Sequence, residues 1–332
     1  MNKLRSRLPK FGALMLLLAV GFIAPRTRTL AAPPAQSSGE EKAPPGEMIG
    51  EGTVSTPDDE FGGSITPDGQ SIFFDITVPS HYLYVMCVSH LANGGWGAPE
   101  VLPFSGAYRD SDPVLTPDGK TLLFASDRPT HGKESRNFYI WASRKTAKGW
   151  GDPELLEGSV NSAGSQVFAS MANNGNLYFT SERKGQFDIY VSRLANGKYQ
   201  EAEDLGPNIN GAGISSLEAL ISSDESYLVI GSFGRQPGFG NSDVFISYRQ
   251  NGNWTVPKNL GPAINTRARE YSPRVTPDGK WLIFTSERGM SSETREKPFT
   301  YEEFVTKSRG TLNGLGNIYR IPMDYVLRTT RP

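Results

Sequence analysis

The tetrapeptide TPDG, at residues 66–69, 116–119 and 276–279, constrains this chain more than any other feature. Degenerate copies at 172–175 (ANNG) and 222–225 (SSDE) complete a register with intervals of 50, 56, 50 and 54 residues. The copies at 116 and 276 extend well past the turn, as SDPVLTPDGKTLLFASDRP and YSPRVTPDGKWLIFTSERG. A period of about 40–55 residues built only of strand-like segments is the signature of propeller blades. A text written several times is architecture first, so recurring residues are set aside before function is sought.

Each copy reads as four strands. A short inner strand ends at an apolar residue: Ile65, Leu115, Met171, Ile221 or Val275. In the TPDG turn, Pro pre-sets φ, Asp caps the turn and Gly takes the φ > 0 position. The second strand is almost wholly apolar (SIFF, TLLF, NLYF, YLVI, WLIF), and the third alternates, as in FYIWASR and DVFISYR. A Gly/Asn turn and an aromatic, Trp96, Trp150, Tyr199 or Trp254, are expected to open the fourth.

That aromatic occurs four times, because the last copy ends at NIYRIPMDYVLRTTRP. The missing strand is found at the other end of the chain. An apolar residue and Asn follow the fourth strands at Val160-Asn161, Ile209-Asn210 and Ile264-Asn265; Asn161 and Asn265 precede their turns by 11 residues, as Ser55 precedes Thr66. Residues 48–55 are therefore expected to complete the last blade. The fold class is all-β: a five-bladed β-propeller of four-stranded antiparallel blades, closed by the N-terminal strand. Closure leaves every blade packed on two neighbours and hides the open ends. Six blades would require a second strand from the leader.

TPDGK followed by an apolar strand and S[DE]R resembles the TolB-type (WD40-like) propeller repeat of bacterial periplasmic proteins, over about residues 55–330. The resemblance implies an exported, scaffold-like propeller. The α/β domain of TolB itself is not expected, since the leader is too short to hold one, so its lipoprotein-binding arrangement is not carried over.

Lys3, Arg5, Arg7 and Lys10 precede an apolar run at residues 11–24, too short for an ordinary span and typical of a secretory signal. Residues 1–32 are assigned to that signal, an uncleaved anchor being the alternative, and 33–46 to a flexible Pro/Ser-rich leader. The propeller takes 47–332, with blades starting near 60, 110, 166, 216 and 270. Without residues 1–32 the chain holds 28 basic against 35 acidic residues, a net of −7. An acidic exported chain is a poor nucleic-acid binder, and a monomer is expected. The single cysteine, Cys87, lies among alternating apolar residues as an inert buried thiol.

Several tempting motifs dissolve in the repeat. SERK at 181–184 resembles a serine acyl-enzyme pattern, yet Ser126-Asp127-Arg128 and Ser286-Glu287-Arg288 hold the same place in other copies. Architecture is the reading, with a carboxylate–guanidinium pair between blades. Asp68, Asp118 and Asp278 are turn residues. His81, His90 and His131 have no close metal-ligand spacing. No phosphate-binding loop, nucleophile elbow or Ca²⁺ loop is present, and no metal or cofactor is expected.

Function is sought where copies differ on a shared face. Six residues before the turn lie Glu60, Asp110, Gln166, Ser216 and Glu270; four before it lie Gly62, Asp112, Phe168, Glu218 and Ser272. Strand alternation places both sets on one side, near the channel mouth, with Arg109, Arg269 and Arg274 nearby. Glu60, Asp110, Asp112, Glu218, Glu270 and Arg274 are the candidate ligand-binding residues. The insertion at 289–316, with a short helix capped by Thr300, adds Tyr301, Glu302 and Phe304 as a partial lid. The favoured reading is a binding or scaffold module for an envelope protein, peptide or glycan. The rival is a carbohydrate-active hydrolase or lyase using Asp110, Asp112 and Glu218, like five-bladed glycosidases of the arabinanase and levansucrase type in blade number and acid placement. A third is a structural subunit docking through its blade edges.

Overall fold

The computed structural model describes residues 43–78, 82–211, 213–290 and 292–332. The expected export signal, most of the leader and His81 lie outside the described residues. Five antiparallel blades succeed one another along the described residues, with a separate two-stranded hairpin, Leu194–Ala195 and Lys198–Tyr199, in the third. Blade one is Asp59–Ile65, Ser71–Thr77, Tyr84–Ala92 and Glu100–Val101. Blade two is Asp110–Leu115, Thr121–Ser126, Tyr139–Thr146 and Glu154–Leu155. Blade three is Gln166–Met171, Leu177–Ser181, Asp188–Ser192 and Glu203–Asp204. Blade four is Ser215–Ile221, Tyr227–Phe233, Ser242–Gln250 and Lys258–Asn259. Blade five is Glu270–Val275, Trp281–Ser286 and Asn317–Pro322, completed by Glu47–Met48 from the start of the domain.

The closing strand pairs Glu47 with Arg320 and Met48 with Tyr319, and the Ile49 amide donates to Ile318 O at 2.8 Å. It is shorter than the expected 48–55. From Gly50 the chain turns, and the amides of residues 53–55 all donate to Gly50 O. That turn drives Val54 into a fully buried position beside Ile72, Phe74, Ile283 and Ile318. This cluster joins blade five to blade one. Four further clusters join one to two, two to three, three to four, and four to five. With every blade packed on both neighbours, the ring is closed.

The apolar-Asn signature has a physical basis. Asn161 Oδ1 accepts from Ile140 N at 2.8 Å while its Nδ2 donates to Ile140 O at 2.9 Å. Asn210 does the same to Ile189, and Asn265 to Val244. The side-chain amide imitates one more residue of an outer strand, satisfying backbone groups where the ladder stops. Ser55 substitutes in blade five, accepting from Ile318 N at 3.1 Å. That correspondence is why the alignment of Ser55 with the Asn positions located the seam.

Other recurring residues are architectural in a way that differs from expectation. The serine–acid–arginine segments do not pair acid with guanidinium across blades. Arg128, Arg183 and Arg288 each donate Nε to the serine two residues earlier, at 2.9–3.0 Å. Their Nη2 atoms reach Phe104 O, Val160 O and Ile264 O, on the turn that leaves the outer strand. Arg235 makes the same reach to Ile209 O in blade four. The middle acids pair within their own blade: Asp127 with Arg109 at 2.8 Å and Glu287 with Arg269 at 2.9 Å. The aromatics Trp96, Trp150 and Tyr199 sit on hairpin tips rather than opening the outer strands. In each TPDG turn the threonine Oγ1 donates to the aspartate at 2.6–2.7 Å. A C-terminal helix, Met323–Thr330, buries Met323 and Val326 against blades four and five.

Candidate functional site

The inner strands do not alternate straight through. Each carries a β-bulge, with register breaks at Phe61/Ser64, Ser111/Val114, Val167/Ser170, Ser216/Glu218 and Tyr271/Arg274. In four blades the first bulged residue is left-handed: Gly62 (φ 72°), Asp112 (59°), Phe168 (52°) and Ser272 (47°). A bulge inserts one extra residue and re-aims the side chains beyond it. The two sets expected on one side are therefore separated.

The outer set is buried inside the blades. Glu60 accepts from Thr56 N at 2.9 Å and from Thr56 Oγ1, and Glu270 accepts from Thr266 N and Oγ1, both at 2.7 Å. Gln166 accepts from Ser162 N at 3.1 Å in the same place. Asp110 is held by Arg128 at 2.6 Å. All four side chains belong to residues with no exposed surface. They brace the turn entering the inner strand, not an open mouth.

The inner set meets at the axis. Asp112 and Glu218 are half-buried, joined by Arg274 and by a residue that the sequence reading missed, Asp75 at the end of the apolar strand SIFFD. Each acid receives the bulge amide of the next blade. Asp112 N donates to Asp75 Oδ2 at 2.9 Å, Phe168 N to Asp112, and Ser272 N to Glu218. In the remaining link observed, Gly62 N donates to Thr285 Oγ1 at 3.3 Å.

The acid arises alternately from two positions. Blade one has Asp75 with Gly62 opposite; blade two has Asp112 with Ala125; blade four has Glu218 with Gly231. A Cβ at Gly62 would lie 2.7 Å from Asp75 Oδ2, and one at Gly231 would collide with the Glu218 carboxylate. One partner is small because the other fills the space.

Burial raises all of these carboxyls: Asp75 well above the usual range, Asp112 upward despite Arg274, and Glu218 to about 7. Glu60 is likewise pushed up to about 7 by burial, against 4.5 for a free side chain. Between those values folded Glu60 holds a proton that the unfolded chain has lost. Its contribution is therefore most favourable below pH 4.5 and declines as pH rises through 7. Gln166 shows that an amide fits the position, so Glu60→Gln is expected to raise stability at pH 8 by about 2 kcal/mol and leave it unchanged at pH 4. Urea unfolding at the two pH values checks this; equal gains at both would contradict it.

Arg274 is 2% exposed and lies 3.7 Å from the Phe168 ring centroid. Its Nη1 donates to Pro273 O at 3.1 Å, whereas the buried Nε and Nη2 have no hydrogen-bond partner among the described residues. It borders a cavity of about 230 Å³ that opens on the face of the TPDG turns, away from the expected mouth. On the expected face, Tyr82, Tyr108, Arg109 and Asp127 line a shallower hollow between blades one and two. The insertion forms the helix Tyr301–Ser308 with the expected Thr300 capping box. No residue of the helix is buried, Tyr301 is 85% exposed, and Lys307 pairs with Glu293 of the same insertion. Contact with blade one comes instead from its end, where Asn313 Nδ2 donates to Pro57 O and Gly316 N to Asp59.

Among the described residues no three His, Cys, Asp or Glu side chains could hold a metal ion. His90 Nδ1 faces Ser71 Oγ at 2.8 Å. Burial pushes the Cys87 thiol up to about 12. No described helix is long and apolar enough to cross a membrane.

No family model and no curated protein matches the chain. Among solved structures it is similar to TolB from Acinetobacter baumannii, at 20% identity and TM-score 0.47 over 80% of this chain and 54% of that one. It is also similar to a putative TolB from Agrobacterium tumefaciens (14%, TM-score 0.45, 80% and 91%) and to a thermostable family-43 glycoside hydrolase (10%, TM-score 0.49, 80% and 89%). The chain thus spans about half of the Acinetobacter protein.

Proposed function

We propose that the chain is an exported, non-catalytic binding propeller of a bacterial envelope, recognising a protein, peptide or glycan at the axis of its ring and the loops around it. One observation carries this reading: the candidate acids are already committed to holding the ring together. Glu60, Asp110 and Glu270 brace blade entrances, and Asp75, Asp112 and Glu218 receive amides of neighbouring blades. Glycoside chemistry needs two carboxyls free to flank a bond. The acidic balance outside residues 1–32 argues against a nucleic-acid partner.

The hydrolase reading has one observation in its favour. Glu218, pushed up to about 7 beside Asp112, is poised as a general acid would be. Glu218→Gln and Asp112→Asn keep an acceptor for the bonds to Ser272 and Phe168, so both variants are expected to fold. The wild-type protein is expected to release no reducing ends from a polysaccharide panel. Turnover that either variant abolishes would replace the binding reading with the hydrolase.

A further inference from the structure

The face away from the TPDG turns carries a hollow of about 390 Å³ between blades one and two. Three connections supply its walls. The link between the second and third strands of blade one gives Tyr82, and the entry to blade two gives Tyr108 and Arg109. The link between the second and third strands of blade two gives Asp127 and Glu134. Tyr108 is particular to its blade: eight residues before the turn the other copies carry Asp58, Gly164, Ile214 and Ala268. Tyr82 is 82% exposed and Tyr108 41%, and among the described residues neither hydroxyl makes a hydrogen bond. Large aromatics left open on one hollow are the informative exception on a protein surface.

Beside them stands a fixed polar pair. Arg109 lies 4.7 Å from the Phe138 ring centroid, and Asp127 accepts from Arg109 N at 2.9 Å and from Nε at 2.8 Å. The arginine side chain still keeps 32% of its surface, and its Nη1 is unbonded among the described residues. Glu134 is exposed and unpaired among the same residues. The hollow therefore offers two ring faces, a held donor and a free carboxylate, with no existing bond to break.

The charges favour an uncharged occupant. Arg109 is the one cation among the described lining residues and Asp127 already neutralises it, so an anion would meet Glu134 without compensation. A cation would meet Arg109, and the Arg128 guanidinium already stands 5.5 Å from the Tyr108 ring centroid. A neutral sugar meets neither objection. Its C–H faces can lie on tyrosine rings, while its hydroxyls accept from a guanidinium and donate to a carboxylate. The volume falls in the range of ordinary ligand sites, with room for about two pyranose rings.

We propose that this hollow binds a neutral oligosaccharide, with Tyr82 and Tyr108 as the stacking platform and Arg109 and Glu134 as partners of its hydroxyls. The inference rests on the binding reading above and narrows its ligand to one class.

Isothermal titration of the full chain reads this directly. The probes are cellobiose, maltose and N,N′-diacetylchitobiose, the anion digalacturonate, and the peptide acetyl-Ala-Ser-Ala amide. At least one neutral sugar is expected to bind, with digalacturonate and the peptide at least about tenfold weaker. Tyr82→Ala and Tyr108→Ala are each expected to weaken that sugar at least about fivefold, whereas Tyr82→Phe keeps the ring and stays within about twofold. Tyr82 is almost wholly in solvent, so its variants are expected to melt with the wild type and keep the test valid should Tyr108→Ala fail to fold. Tyr301→Ala, on the exposed insertion helix, is expected to leave the affinity unchanged. Binding by none of the sugars, tighter binding of digalacturonate or the peptide, or unchanged sugar affinity in Tyr82→Ala overturns the proposal. Polysaccharide turnover is scored separately: turnover that Glu218→Gln abolishes would overturn the non-catalytic reading, whereas no sugar binding and no turnover removes this ligand class alone.

Discussion

Val54→Asp is expected to lower the unfolding free energy by about 3–5 kcal/mol, the effect of an uncompensated buried charge. Val54 has no exposed surface and lies among Ile72, Phe74, Ile283 and Ile318, side chains of the first and last blades. A carboxylate there would have no partner and would separate the two blades at the seam. Against a total stability of about 5–15 kcal/mol for an ordinary domain, that is a large fraction. Glu51, three residues earlier and exposed, provides the control: Glu51→Ala is expected to change stability by less than about 0.5 kcal/mol. Urea unfolding of the three proteins decides it. A loss below about 1 kcal/mol for Val54→Asp would mean that the turn at 50–55 does not pack into the seam.

Exchanging the two positions that supply the axial acid should reveal a strong coupling. Asp75→Ala leaves the part-buried Asp112 amide without its acceptor, at about 1–3 kcal/mol. Gly62→Asp forces a side chain to within 2.7 Å of Asp75 Oδ2 and adds a second carboxyl to the same space. Its cost belongs with overpacking and like-charge repulsion, about 2–3 kcal/mol. The double variant reproduces what blade two already contains, an aspartate at left-handed φ opposite alanine. It is expected to recover most of the summed loss, a coupling of about 2–3 kcal/mol in a double-mutant cycle. Additive losses would show that the pairing of Asp75 with Gly62 and of Asp112 with Ala125 is coincidental.

Most of the ring could be read from the residues, because its devices are local. Thr, Asp and Gly of the TPDG turn act within five residues, and the Asn and Ser55 signatures mark strand ends at fixed distances from that turn. The axial site was only half legible. Distance from the turn marks Asp112, Glu218 and Arg274, but strand alternation groups Glu60, Asp110 and Glu270 with them because a bulge interrupts the period. Bulges arise from how two strands register, and a period-two count has no means of registering them; Gly62, at a place where other copies carry side chains, was the available hint. Asp75 was hidden as the last letter of an apolar strand. Its signal was complementary variation, with Gly or Ala standing opposite each acid, and that emerges only once the pairing of inner and second strands is known. The C-terminal helix was missed because eight residues give too few turns for a periodic pattern, and Met323 and Val326 are its only buried apolar positions.

Amide hydrogen exchange at the seam tests the closed ring most directly. Ile49 N donates to Ile318 O across the junction, and Ile318 N donates to Ser55 Oγ. If the start of the domain completes the last blade, both amides exchange as slowly as that of Phe74 in the interior of blade one, opening only with global unfolding. Exchange of Ile49 and Ile318 at free-peptide rates while Phe74 stays protected would show an open array, without the shared axis on which Arg274 and its cavity depend.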